Sequence, residues 1–113
     1  MRLALVHAGG AAESADVPVG AVVVDVDGAV VGRGHNVREA LDDPTGHAEI
    51  VALRAAGADR HTWRLAGCTL VVTLEPCVMC TGAAVLARVD RVVFGAFDPT
   101  AGACGSLWDL ARD

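Results

Sequence analysis

Leu3, Val6 and a series of alanines recur at helical spacing from Leu3 to Ala15, which predicts an N-terminal helix. Gly9-Gly10 weakens it by about 1 kcal/mol per glycine relative to alanine. β-Branched residues then take over. Ala21-Val22-Val23-Val24-Asp25 and Ala29-Val30-Val31-Gly32, parted by a turn at Asp27-Gly28, carry the signature of an antiparallel hairpin. A polar loop from Arg38 leads to Asp43-Pro44-Thr45, where Asp or Thr can cap a helix and Pro suits its first turn. A helix is therefore expected from Gly46 to Ala56, stopped by Gly57. Cys68 to Leu74 is almost continuously apolar, the pattern of a strand covered on both faces and hence central. Glu75-Pro76 ends that strand and opens a helix from Cys77 to Arg88, and Arg91 to Gly95 is one more strand. Strand, helix and strand in that order predict a right-handed crossover between parallel strands. The rest, Asp98 to Asp113, is rich in Gly and Ala with a short apolar end at Leu107-Trp108-Leu110.

Length and composition narrow what such a chain can be. Its 113 residues, 53% apolar and 20% charged, are expected to form one domain, 1–113. No apolar run approaches the roughly 18 residues that cross a bilayer, and Met1 to His7 lacks the apolar core of a secretory signal, so the expected compartment is the cytoplasm, with no membrane partner. Nine cations, all Arg, face fourteen carboxylates for a net charge of -5, the reverse of the usual nucleic-acid footprint. Any nucleic-acid partner must then be held by local contacts. Four cysteines in a reducing compartment point to thiolate chemistry before disulfides. Cys68 and Cys104 lack ligand spacing and read as a small core residue and a packed loop residue. Trp63 and Trp108 read as packing residues or interface anchors.

Pro76-Cys77-Val78-Met79-Cys80 places two thiols at i and i+3 at a helix start, where open backbone N–H groups and the helix dipole favour thiolates. Alone, this pair fits a redox dithiol, a zinc knuckle or two buried small residues. His47-Ala48-Glu49 adds an imidazole and a carboxylate at the start of another helix. Zinc held by one imidazole and two thiolates keeps a fourth position for water, which is catalytic coordination and not that of a closed structural site. Glu49 lies two residues from His47 and cannot share the imidazole's face on a regular helix, so it is assigned to the proton and not to the metal. His-x-Glu with Pro-Cys-x-x-Cys is the known signature of zinc-dependent nucleobase deaminases.

Val17-Pro18-Val19-Gly20-Ala21-Val22, Asp43-Pro44-Thr45-Gly46-His47-Ala48-Glu49-Ile50, Thr73-Leu74-Glu75-Pro76-Cys77-Val78-Met79-Cys80 and Arg91-Val92-Val93-Phe94-Gly95-Ala96 together resemble the bacterial tRNA-specific adenosine deaminases of the cytidine/deoxycytidylate deaminase superfamily. The resemblance implies an α/β fold, a three-layer α-β-α sandwich around a mixed sheet, and a closing strand and basic helix that these 113 residues lack. It implies one Zn2+ per chain on His47, Cys77 and Cys80, with Glu49 as proton shuttle. Asn36 would hydrogen-bond the nucleoside, Val17 and Leu74 would wall the base, and Asp98 would stand near the flanking nucleotides. Each has a plainer alternative: Asn36 holding the turn after Gly34, Val17 and Leu74 as core, Asp98 capping the next turn. The implied reaction is hydrolysis at C6 of adenine, releasing ammonia and leaving inosine, on a base splayed from a tRNA anticodon loop. The implied assembly is a homodimer. Phe97 and Thr100 stand where the family often carries Arg and Lys, which removes two phosphate contacts. Deamination of a free base or nucleoside (guanine, cytosine or cytidine) is the alternative, followed by an inactive zinc-stabilised module or a redox protein.

Overall fold

The computed structural model describes residues 1–12, 16–106 and 109. The expected end of the first helix at 13–15 and the apolar segment of Leu107, Trp108 and Leu110 lie outside them. Seven elements follow in order: α1 (Arg2–Ala12), β1 (Gly20–Val24), β2 (Val30–His35), α2 (Ala48–Arg60), β3 (Thr69–Leu74), α3 (Val78–Leu86) and β4 (Arg91–Ala96). The four strands form one sheet in the order β2-β1-β3-β4. β1 runs antiparallel to both β2 and β3, while β3 and β4 are parallel, as the strand-helix-strand order requires. The nearly unbroken apolar strand β3 is interior to the sheet, with Leu70 and Val72 fully buried.

Strand alternation sorts the helices into layers. Ala21 and Val23 of β1 join Ala48, Ala52, Leu53 and Ala56 of α2, Leu70 and Val72 of β3 and Ala84 of α3 in one core. Gly20, one position out of phase, instead meets the backbone of α1 at Ala4 and Ala8. Side chains alternate faces along a strand, so α1 covers one face of the sheet and α2 and α3 the other. On α1 the covering residues are Ala4, Ala8 and Ala11, all buried and spaced to share one stripe.

Boundaries of β2, α2 and α3 differ from those expected. β2 does not stop at Gly32 but runs to His35, because its glycines mark a close approach and not a break. A Cβ on Gly32 would come within 2.3 Å of the Ala52 carbonyl oxygen, and one on Gly34 within 2.6 Å of that of Ala48. α2 therefore lies directly on the β2 backbone. α2 begins at Ala48 and continues through Gly57 to Arg60, turning off at His61 with φ 55°. Asp43 does not cap it; its carboxylate accepts from the Thr45 amide and hydroxyl, both at 2.9 Å, and shapes the preceding turn. α3 begins at Val78 and ends at Leu86, leaving Cys77 as the residue before its first turn. Trp63 is 66% exposed and is not a core packing residue, whereas Cys68 is fully buried as expected.

Because the Gly34 contact is with backbone, Gly34→Ala forces α2 away from the sheet. Overpacking of this kind costs about 1–3 kcal/mol. For a domain of this size the expected fall in unfolding temperature is about 5–20 °C, read by thermal denaturation. An unchanged midpoint would mean that the α2 contact is not under compression.

Candidate active site

The three sulfur and nitrogen donors expected from the sequence meet between the starts of two helices. His47 is the N-cap residue of α2 and Cys77 that of α3; both have extended backbones and neither side chain caps its helix. Cys80 sits one turn further into α3 and is buried. His47 Nδ1 lies 3.6 Å from the Cys77 sulfur and 3.6 Å from that of Cys80. All three donor atoms fall within 4.8 Å of one another, and among the described residues no fourth His, Cys, Asp or Glu joins them.

These distances test the fit to a metal. With Zn–S of about 2.3 Å and Zn–N of about 2.05 Å, a tetrahedral angle places sulfur and nitrogen about 3.6 Å apart. The observed separations meet that value for both cysteines, so the imidazole stands at a zinc-chelating distance from each sulfur. Thiol acidity agrees. Cys77 is held down to about 5, chiefly by the Cys80 thiol hydrogen bond, with the backbone N–H groups of Cys80 and Met79 and the His47 charge adding to it against the effect of burial. Cys80 is pushed up by that same bond and by burial. Two sulfurs that share a hydrogen bond and stand beside one imidazole are a donor set whose remaining thiol proton a divalent cation would displace.

Glu49 lies in the first turn of α2, only 4% exposed, outside the donor triangle. Burial pushes its carboxyl above the ordinary value and the negative charge at Cys77 adds to this, while its own backbone amide, His47 and Cys80 oppose the shift. It faces a pocket of about 180 Å³. A cavity of about 150 Å³ holds a benzene molecule, so this one has room for a single aromatic ring.

Seven of the eight residues singled out from the sequence line that pocket: Val17, Asn36, His47, Glu49, Leu74, Cys77 and Asp98, with Cys80 buried behind. For Asn36 the turn-holding alternative is seen directly. Its Oδ1 accepts from the Arg38 amide at 3.2 Å and its Nδ2 donates to the Val17 carbonyl at 3.3 Å. One amide hydrogen and one lone pair still face outward. Asp98 likewise closes its own turn, accepting from the Thr100 amide and hydroxyl and the Ala101 amide. Val17 is 59% exposed at the rim and is not core.

Arg38, Glu75 and Ala101 also line the pocket and were not anticipated as site residues. Arg38 follows two residues after Asn36, and its loop is fastened by buried Asp16, which accepts from the Glu39 and Ala40 amides at 2.7 and 3.1 Å. Glu75 is 3% exposed. Burial would raise its pKa, but hydrogen bonds from the Ser106 hydroxyl and amide, the Asp98 amide and the Cys104 amide outweigh this and hold it at about 2. Its sequence signals were an acid at the end of an apolar strand and its place in the segment 73–80. Cys104, expected to be simply packed, is partly exposed, with its sulfur 3.3 Å from the Thr81 hydroxyl.

Residues 1–96 match the family described as the cytidine and deoxycytidylate deaminase zinc-binding region. The tRNA(Ile)-lysidine synthase of Deinococcus radiodurans is 54% identical over all 113 residues, which correspond to 19% of that protein. The tRNA-specific adenosine deaminase of Bacillus subtilis is 48% identical over the same 113 residues, 70% of its length. A solved structure from studies of A-to-I editing by tRNA:A34 deaminases at the wobble position of transfer RNA superposes with a TM-score of 0.90 at 48% identity, covering 94% of this chain and 81% of its own. The chain therefore spans about a fifth of the length of the lysidine synthase relative and 70% of the adenosine deaminase.

Proposed function

This chain belongs to the cytidine and deoxycytidylate deaminase zinc-binding family, and from that footing we propose that it hydrolyses the 6-amino group of adenine in a tRNA anticodon loop, leaving inosine and ammonia. The observation that carries the reading is the triangle of His47, Cys77 and Cys80 beside buried Glu49 on a pocket of aromatic-ring size. That the base belongs to a tRNA is supported by the two relatives, both of which have tRNA in their names.

A bound zinc ion, one per chain on His47, Cys77 and Cys80, supplies Lewis acidity that brings the ionisation of water into the neutral range. Glu49 is the proton carrier: as the water oxygen bonds to C6, it passes one water proton to the ring nitrogen N1 and the other to the amino group, so that the C6–N bond breaks, ammonia leaves and a carbonyl remains. Leu74 and Val17 hold the ring between apolar surfaces, and the outward amide hydrogen and lone pair of Asn36 orient the nucleoside. Asp98 also lines the pocket and is assigned to the flanking nucleotides. Arg38 is the guanidinium at the rim, in reach of a phosphate, and supplies the local contact that the net charge of -5 makes necessary. A homodimer in the cytoplasm completes the reading. Exposed Leu86 and Phe97 give apolar surface for a second copy to cover, and the described cysteines are unpaired. No helix among the described residues is long and apolar enough to cross a membrane.

Zinc-loaded protein incubated with an anticodon stem-loop bearing adenosine at the wobble position is expected to release one ammonia per inosine formed. Free adenosine, guanine, cytosine and cytidine serve as parallel substrates. Turnover of a free base or nucleoside without turnover of the stem-loop would replace this reading with the small-substrate one.

A further inference from the structure

Glu75 buries its carboxyl group in the interior, yet among the described residues no cation pairs with it. Its four hydrogen-bond donors all come from one loop. The Asp98 amide donates to Oε1 at 3.0 Å, the Cys104 and Ser106 amides donate to Oε2 at 2.9 and 3.0 Å, and the Ser106 hydroxyl donates to Oε1. A carboxylate offers about four acceptor positions, so this one is filled and has nothing left for a substrate. Gly102 lies against it so closely that a Cβ there would stand 2.3–2.5 Å from the carboxyl atoms. The loop is wrapped around the carboxylate.

The main chain repeats the attachment. The Glu75 amide donates to the Ala96 carbonyl at 2.8 Å, and the Ala103 amide donates to the Pro76 carbonyl at 2.8 Å. One side of this join therefore carries Leu74 and Cys77, and the other carries Asp98 and Ala101; all four line the pocket. The separation between the metal-ligand segment and the loop's share of the pocket lining is set where Glu75 grips the loop. If stability alone were at stake, an apolar residue of similar size would fill the space without the cost of burying a charge. What a carboxylate adds is direction, because four bonds from three residues define both distance and orientation.

We propose that Glu75 is a positioning residue for substrate recognition, a buried clasp that holds the 98–106 loop at a fixed distance from the His47–Cys77–Cys80 triangle. This rests on the deaminase reading for what the pocket binds, but not for the clasp itself.

The test uses metal-loaded full chain carrying Glu75→Gln, which keeps one acceptor oxygen, Glu75→Leu, which keeps none, and the milder Ser106→Ala. Amide hydrogen exchange at Asp98, Cys104 and Ser106 is followed together with ammonia-release kinetics on the stem-loop. For Glu75→Gln, exchange at these amides is expected to rise at least about tenfold relative to Val72 in β3, with KM raised about tenfold and kcat within about threefold, the scale of a lost charged hydrogen bond. Glu75→Leu should show a larger effect on both, and Ser106→Ala a smaller one in the same direction. Unchanged exchange in Glu75→Gln and Ser106→Ala would overturn the clasp whatever the activity. Raised exchange with unchanged KM, or a loss confined to kcat, would overturn its role in substrate positioning. Wild-type protein that releases no ammonia from the stem-loop while these amides still respond would overturn the deaminase reading and leave the clasp standing.

Discussion

Glu49→Gln is expected to keep its metal and its fold while losing about 10²- to 10⁴-fold in kcat, the contribution of a positioned proton-transfer group. The substitution is nearly isosteric, and Glu49 is buried without belonging to the donor triangle, so neither packing nor metal affinity depends on its charge in the way that turnover does. The amide cannot carry a proton between water and base. KM should change far less than kcat, because the interaction removed is one made on the way to the transition state and not in the bound ground state. Elemental analysis and thermal unfolding of the variant supply the controls. Full turnover by Glu49→Gln would remove Glu49 from the proton path, and loss of zinc would make it a metal-site residue after all.

Withdrawing the metal is expected to lower the unfolding temperature by at least about 15 °C. A ligand present at a thousand times its Kd contributes about 4 kcal/mol to the folded state. A domain of this size shifts by about 4–8 °C per kcal/mol. The chelated chain keeps two thiols and an imidazole facing each other between two helix starts, with one thiol held ionised and the other not. Adding zinc back should restore the midpoint. Cys80→Ala, which deletes the buried donor, should reproduce most of the fall and no longer respond to zinc. An unfolding temperature indifferent to chelator would show that the ion contributes to catalysis alone.

The parts of this site that were legible in the sequence are those written in contiguous residues. Pro76 to Cys80 and His47 to Glu49 each carry their own spacing, and the apolar run of β3 announces a strand that must be interior. What was not legible depends on partners distant along the chain. Gly32 and Gly34 looked like a strand end because glycine is usually punctuation; only the presence of α2 over them, fourteen or more positions later, makes them part of the strand. Gly57 looked like a helix stop for the same reason. Glu75 looked like the punctuation that ends a strand and Asp16 drew no reading, since the amides that surround them lie more than twenty positions downstream. Asn36 and Asp98 both line the pocket, and the local turn bonds weighed against a substrate role are present alongside that position.

His47 and Cys77 are each the residue from which a helix starts, and they stand 30 positions apart in the chain. An ion that joins them is a cross-link. On the chain-entropy account used for disulfides, closing a loop of about 30 residues removes about 3.6 kcal/mol of freedom from the unfolded state. This cross-link forms without an oxidant, draws together helices that flank the interior strand, and comes apart under chelation or acid. On the zinc reading, metal supply is then expected to set the stability of the fold as well as turnover.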